Sequence, residues 1–135
     1  MSWHLLDTDA VIDWLKGIAE SITYIERLVN DGHVLATTDV VIAETWSGLL
    51  PKERAKGEEL LSSFVFLPTS REAARRAGEW RYAYARRGIT LSVADALIAA
   101  TGYEHNAAIV TANVRDYPMP EINIVPLPRA LRGTP

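Results

Sequence analysis

The chain contains no cysteine, which excludes disulfide bridges, thiolate nucleophiles and zinc sites built on cysteine. Lysine is almost as scarce: Lys16, Lys52 and Lys56 are the only three, and none follows position 56. No apolar run reaches the length of a bilayer span, and the N-terminus lacks a basic stretch followed by a hydrophobic segment. Neither a membrane helix nor a secretory signal is therefore expected, and a cytoplasmic protein is. A large positive excess is missing too. The net charge of −3 argues against a uniformly basic nucleic-acid binder but leaves room for a local basic rim. Repeats, linkers and low-complexity segments are also lacking.

What is present is enough to build a core. The 135 residues are 48% hydrophobic and 23% charged, ordinary values for a soluble domain of one core, so a single domain over residues 1–135 is expected. Apolar runs alternate with helical periodicities. Trp3 to Leu6 reads as a strand, Ala10 to Lys16 as a short helix interrupted by Gly17, and Ile18 to Asn30 as a second helix stopped by Asp31-Gly32. His33 to Ala36 reads as a strand, with Thr37 and Thr38 as N-cap candidates for a helix to Leu49. Pro51 opens a helix to Ser63, and Phe64 to Leu67 is a strand stopped by Pro68. Ser70 starts a long helix ending near Arg87, with Gly88 after it. Ser92 starts another that reaches Asn106. Ala107 to Val110 and Ile122 to Val125 complete the strands. The tail from Arg129 to Pro135 is expected to fray. Short strands separated by helices imply a parallel sheet covered on both faces. The fold expected is therefore α/β, three layers around about five parallel strands. Ligands of such sheets bind beyond the carboxyl ends of the strands. If the first and fourth strands are neighbours, the turns after Leu6 and Val110 face one crevice.

Carboxylates in apolar company carry the functional signal, because burying one without a partner is costly. Asp7-Thr8-Asp9 ends the first strand; Asp7 is either a ligand or a turn residue, and Asp9 or Thr8 can cap the next helix. Glu44 lies in Val40-Val41-Ile42-Ala43-Glu44-Thr45-Trp46, near the start of its helix. Asp95 stands three residues after Ser92, the spacing of a capping box, in a first turn that also favours an anion. Asp116 closes Thr111-Ala112-Asn113-Val114-Arg115-Asp116 after the fourth strand. Two carboxylates about 5 Å apart repel by roughly 3 kcal/mol at an effective dielectric near 20. Several in one crevice need raised pKa values or a cation.

The words LLDTDAVIDWL, VVIAETWSGL, SVADALIAATGYEHNAAIVTANVRDY and IVPL, in this order and spacing, resemble the PIN-domain nucleases, most of all the VapC-type toxins of prokaryotic toxin–antitoxin pairs. The resemblance implies a PIN-like three-layer fold and a metal-dependent endoribonuclease that hydrolyses RNA phosphodiesters with a metal-activated water. It implies that Asp7, Glu44 and Asp95 hold Mg²⁺ or Mn²⁺, with the fourth place filled by Asp116 or by Asn113. Thr111 is expected to orient the turn, and Arg115 to contact RNA. Asp9 is expected as a cap or a group outside the ligand set. The implied partners are an RNA substrate, a VapB-like antitoxin and a second copy of the chain, with no membrane. The surface between Trp46 and Phe64, together with Ala73 to Tyr84, is the candidate interface. Replacing Asp7 or Asp95 by alanine is expected to abolish cleavage and leave the fold intact.

Weaker signals are read as structure first. Arg71, Arg75, Arg76, Arg81, Arg86 and Arg87 form either an RNA-facing row or a solvated helix face paired with Glu72 and Glu79. Trp14, Trp46, Trp80, Tyr82 and Tyr84 are expected in the core or an interface, and His4, His33 and His105 have no assigned role. Two rival readings remain: a non-catalytic PIN-like RNA-binding or scaffold protein, and a phosphatase of haloacid-dehalogenase type with Asp7 as nucleophile. The missing lysine downstream of Lys56 weighs against the phosphatase.

Overall fold

The computed structural model describes residues 2–128; the tail expected to fray lies outside the described residues. Five strands are present: β1 (Trp3–Leu6), β2 (Val34–Thr37), β3 (Val65–Phe66), β4 (Ala108–Thr111) and β5 (Ile124–Pro126). All pair in parallel, in the order β3-β2-β1-β4-β5. The helices are α1 (Thr8–Leu15), α2 (Ala19–Asn30), α3 (Asp39–Gly48), α4 (Arg54–Ser62), α5 (Arg71–Arg86) and α6 (Val93–Glu104). Successive side chains of a strand point to opposite faces. In β1 both Leu5 and Leu6, and in β4 both Ile109 and Val110, are fully buried. The sheet is therefore covered on both sides, the three-layer α/β/α arrangement expected.

The chain leaves β1 for β2 on one side and later returns to β4 on the other, so the order reverses between β1 and β4. Leu6 stands opposite Val110, and the ladder runs one residue further, where Asp7 N–H donates to Val110 O at 2.9 Å. The turns after these two strands thus face each other, as the sequence reading required.

Three local expectations change. The helix expected from Pro51 begins as a 3₁₀ turn, Pro51–Glu53, before α4. The Glu53 carboxylate accepts from Leu50 N–H at 2.8 Å and fixes that tighter turn. Thr37 is the buried last residue of β2 rather than a cap, while Thr38 holds the N-cap position of α3 as expected, its hydroxyl donating to Asp39 at 2.8 Å and making no capping bond to the helix backbone. The fifth strand starts two residues later than expected and ends one later, on Pro126. Leu127 N–H bonds Thr111 O at 2.9 Å, so alternation turns the Pro126 nitrogen away from β4, where no N–H is needed.

Helix α5 follows its sequence signals closely. Ser70 accepts from Ala73 N–H at 2.9 Å, the N-cap bond, and also donates to Glu104 on α6. Gly88, at φ +76°, ends it in the left-handed conformation that glycine adopts without a Cβ clash. Ala73, Ala77, Trp80 and Tyr84 form its buried stripe. Ser70→Ala is expected to destabilise the fold by about 1–2 kcal/mol, one lost cap and a lost tie to α6, read as a lower urea midpoint with an unchanged slope.

Candidate carboxylate site at the β1–β4 switch point

Asp7 is the residue on which the crevice converges. It is only 6% exposed and is itself the N-cap of α1, its extended backbone (φ −66°, ψ 163°) turning strand into helix. One carboxylate oxygen, Oδ1, accepts from Thr8 N–H at 2.7 Å. The other, Oδ2, accepts from the Thr111 hydroxyl at 2.9 Å and the Tyr117 hydroxyl at 2.8 Å. Thr111 is fully buried at the end of β4, so its bond joins the two strands at their carboxyl ends.

Asp9, expected as a cap or as a group outside the ligand set, leaves the cap to Asp7. Asp9 Oδ2 accepts from Ala112 N–H at 2.8 Å and Asn113 Nδ2 at 3.1 Å, with the Thr111 hydroxyl at 3.2 Å. It therefore braces the turn leaving β4 against α1. Asn113 donates its amide to Asp9 and its backbone N–H to the Thr111 oxygen at 3.0 Å, holding the turn that carries Arg115 and Asp116. Both of these lie exposed in a 3₁₀ turn, Val114–Asp116.

Glu44 reaches the crevice from α3. Its Oε1 accepts from the Thr8 hydroxyl at 2.7 Å, although the residue is exposed. Asp95 comes from the first turn of α6, which Ser92 caps by accepting from Asp95 N–H at 3.0 Å. Burial pushes the Asp95 carboxyl up to about 6 against the hydrogen bond from Ser92, and the charges of Asp116, Asp7 and Glu44 push it the same way. The other three acids singled out in the sequence, each on a separate element, are thus within electrostatic reach of Asp95. Tyr117, whose role sequence reasoning missed, is 4% exposed. Burial and the charges of Asp7 and Asp95 hold its phenol well above the ordinary tyrosine range, so it stays a donor at neutral pH. Its neighbours are anchored by Tyr84 OH to Pro118 O and by Trp80 Nε1 to Glu121, both at 3.2 Å.

The donor set is oxygen alone, carboxylates whose repulsion a hard cation would relieve, and this suits Mg²⁺ or Mn²⁺. Among the described residues no three acidic or histidine side chains close to metal-holding distance. The arrangement is an open acidic mouth in which Asp7 is fixed and Glu44 and Asp116 lie at the exposed rim.

The PIN domain family model matches residues 4–122, nearly the whole chain. The chain is a PIN-domain protein. It is closely related to VapC-family toxins: it is 33% identical over 117 residues to "Ribonuclease VapC19" of Mycobacterium tuberculosis, covering 85% of this chain and 92% of that protein. To "Ribonuclease VapC10" of the same organism it is 34% identical over 115 residues, covering 85% and 86%. The DNA-bound VapBC of Salmonella typhimurium superposes with a TM-score of 0.80 at 27% identity, covering 94% of this chain and 99% of that one.

Elsewhere in this PIN domain the weaker sequence signals resolve as structure. Three of the six arginines stack on aromatics: Arg76 lies 4.4 Å from the Tyr103 ring, Arg86 4.2 Å from Tyr82 and Arg87, just after α5, 4.9 Å from Tyr84. Arg81 donates to Leu91 O at 2.9 Å. The small and aromatic residues Ala73, Ala77, Trp80 and Tyr84, expected at an interface, are buried within the domain, and of that stretch Tyr82 stays widely exposed. His4 and His33 pack with ring centres 4.4 Å apart and planes tilted by 44° at the amino ends of β1 and β2, the opposite end of the sheet from the carboxylates. Among the described residues no helix is long and apolar enough to cross a membrane.

Proposed function

We propose that this PIN-domain chain is a metal-dependent endoribonuclease, the toxin of a VapBC-type pair, with Asp7, Glu44, Asp95 and Asp116 holding a Mg²⁺ or Mn²⁺ ion. One observation carries the reading: the half-buried Asp95 carboxyl is raised to about 6 in part by the charges of the other three acids. A cation at this sheet switch point would relieve the repulsion that Asp116, Asp7 and Glu44 exert on Asp95. The relatives named as ribonucleases support RNA as the substrate class.

When bound, the cation would lower the pKa of a coordinated water and polarise a phosphoryl oxygen. The chain's own residues supply position. Asp7, fixed by three donors, provides the rigid side of the mouth. Glu44, tied only through Thr8, and Asp116, on an exposed turn, can adjust to a substrate. Asp95 provides a carboxylate whose charge burial and the neighbouring acids both oppose, an opposition that a cation would relieve. Thr111 and Asn113 hold the turn after β4, and Arg115, exposed beside Asp116, is placed for a phosphate contact that positions RNA without reading its sequence.

The VapBC complexes among the structural relatives support a VapB-like antitoxin as partner. A homodimer in the cytoplasm and a single working domain over residues 1–135 complete the proposal. The test is a panel of structured and single-stranded RNAs with Mg²⁺, Mn²⁺ or EDTA, alongside p-nitrophenyl phosphate. RNA cleavage that EDTA stops and Mn²⁺ restores, with the ester untouched, is expected. Hydrolysis of the ester would support the phosphatase reading, and RNA binding without cleavage the scaffold reading.

A further inference from the structure

A carboxylate oxygen offers two lone-pair positions, four for the whole group. On Asp7, both positions of Oδ2 are taken, one by Thr111 and one by Tyr117. Oδ1 receives Thr8 N–H alone, which leaves it one position. We propose that Tyr117 is a positioning residue: its hydroxyl, with that of Thr111, occupies Oδ2 of Asp7 and so presents Oδ1 as the single oxygen that takes a divalent cation.

The inference rests on the metal-site reading above and adds to it which oxygen of Asp7 binds and what selects that oxygen. Thr111 alone cannot do so. Its one hydroxyl hydrogen lies between Asp7 Oδ2 at 2.9 Å and Asp9 Oδ2 at 3.2 Å, whereas the Tyr117 hydroxyl is directed at Asp7 at 2.8 Å. Tyr117 is buried, so water does not substitute for the phenol, and phenylalanine would keep the ring while leaving Oδ2 half-filled. The carboxylate would then be free to rotate or to bind a cation through both oxygens. Groups that orient metal ligands typically change metal affinity by about 10–100-fold when removed.

The experiment measures Mn²⁺ affinity of the full chain from the free-ion EPR signal, with the spectrum of the bound ion recorded as well. The proteins compared are the wild type, Tyr117→Phe, Tyr84→Phe and Asp7→Asn. Tyr84→Phe removes the bond to Pro118 O and so perturbs the same loop without touching Asp7. The expected result is an affinity about tenfold weaker in Tyr117→Phe, with an altered bound-ion spectrum and an unchanged KM for RNA. Tyr84→Phe should bind as the wild type does, and Asp7→Asn should lose binding. Wild-type affinity in Tyr117→Phe, or an equal loss in Tyr84→Phe, overturns the positioning role while the metal site stands. Wild-type affinity in Asp7→Asn overturns the metal-site reading itself.

Discussion

Asp95→Asn is expected to lose RNA cleavage by a factor of roughly 100 or more, because even the outer partners of metal ligands cost about 10–100-fold when removed, and at the same time to stabilise the fold. The second effect follows from the sign of the pKa shift. The folded carboxyl titrates at about 6 against an ordinary value of 3.8, so between these values the folded state keeps a proton that the unfolded state has lost. Stability conferred by that proton is fully present below pH 3.8 and has been lost once the pH passes about 6. At pH 7 the ionised group costs roughly 1–2 kcal/mol once its partial exposure is allowed for. Asparagine has no charge to expel and can keep the helix start capped by Ser92. Thermal melts in EDTA from pH 4 to pH 8 should show the wild type falling through that window relative to the variant. An inactive variant no more stable than the wild type at pH 7 would mean that the repulsion on Asp95 is not what the geometry implies.

Asp7→Ala is expected to abolish cleavage and, contrary to the sequence-based expectation of an intact fold, to destabilise the protein by about 3 kcal/mol. Asp7 is the N-cap of α1 and the shared acceptor of Thr111 and Tyr117. Losing a cap costs about 1 kcal/mol, and leaving buried donors without their charged acceptor adds about 1.5–3 kcal/mol. The melting temperature should drop by roughly 10 °C for a domain of this size. Asp7→Asn retains a capping side chain and an acceptor oxygen, so its loss of stability should be smaller by at least half while its cleavage is equally impaired. Comparing the two variants separates the structural from the functional contribution of this one carboxylate. Equal melting temperatures for Asp7→Ala and the wild type would contradict the bonding described.

The contrast between Asp7 and Asp95 shows what a sequence can carry. Asp95 was placed correctly because its cap, Ser92, lies three residues away and the whole signal is local. In the DTD word, three consecutive residues can each cap a helix, and the choice is made by a distant strand. Asp7 N–H still bonds Val110 O, so the helix starts at Thr8 and Asp9 is turned toward the strap after β4. Tyr117 was missed for the same reason: its acceptor is 110 positions earlier. The available signal was a tyrosine placed for burial just after Asp116, since a buried phenol requires a partner. The parallel sheet and its helices were legible from alternation and turn residues. The neighbouring of β1 and β4 was legible only as a condition for the site to form. The arginines from Arg71 to Arg87 read as a charged row, yet Arg76, Arg86 and Arg87 lie on Tyr103, Tyr82 and Tyr84, a use of charge that no spacing rule separates from an exposed face.

Four carboxylates from four elements are proposed to serve one divalent cation. Equilibrium Mn²⁺ binding at pH 7.5, compared between the wild type and Asp95→Asn, tests this most directly. Saturable binding to the wild type and a loss of about 100-fold or more in the variant are expected; equal binding to both, or none to the wild type, would rule out a cation shared by these carboxylates.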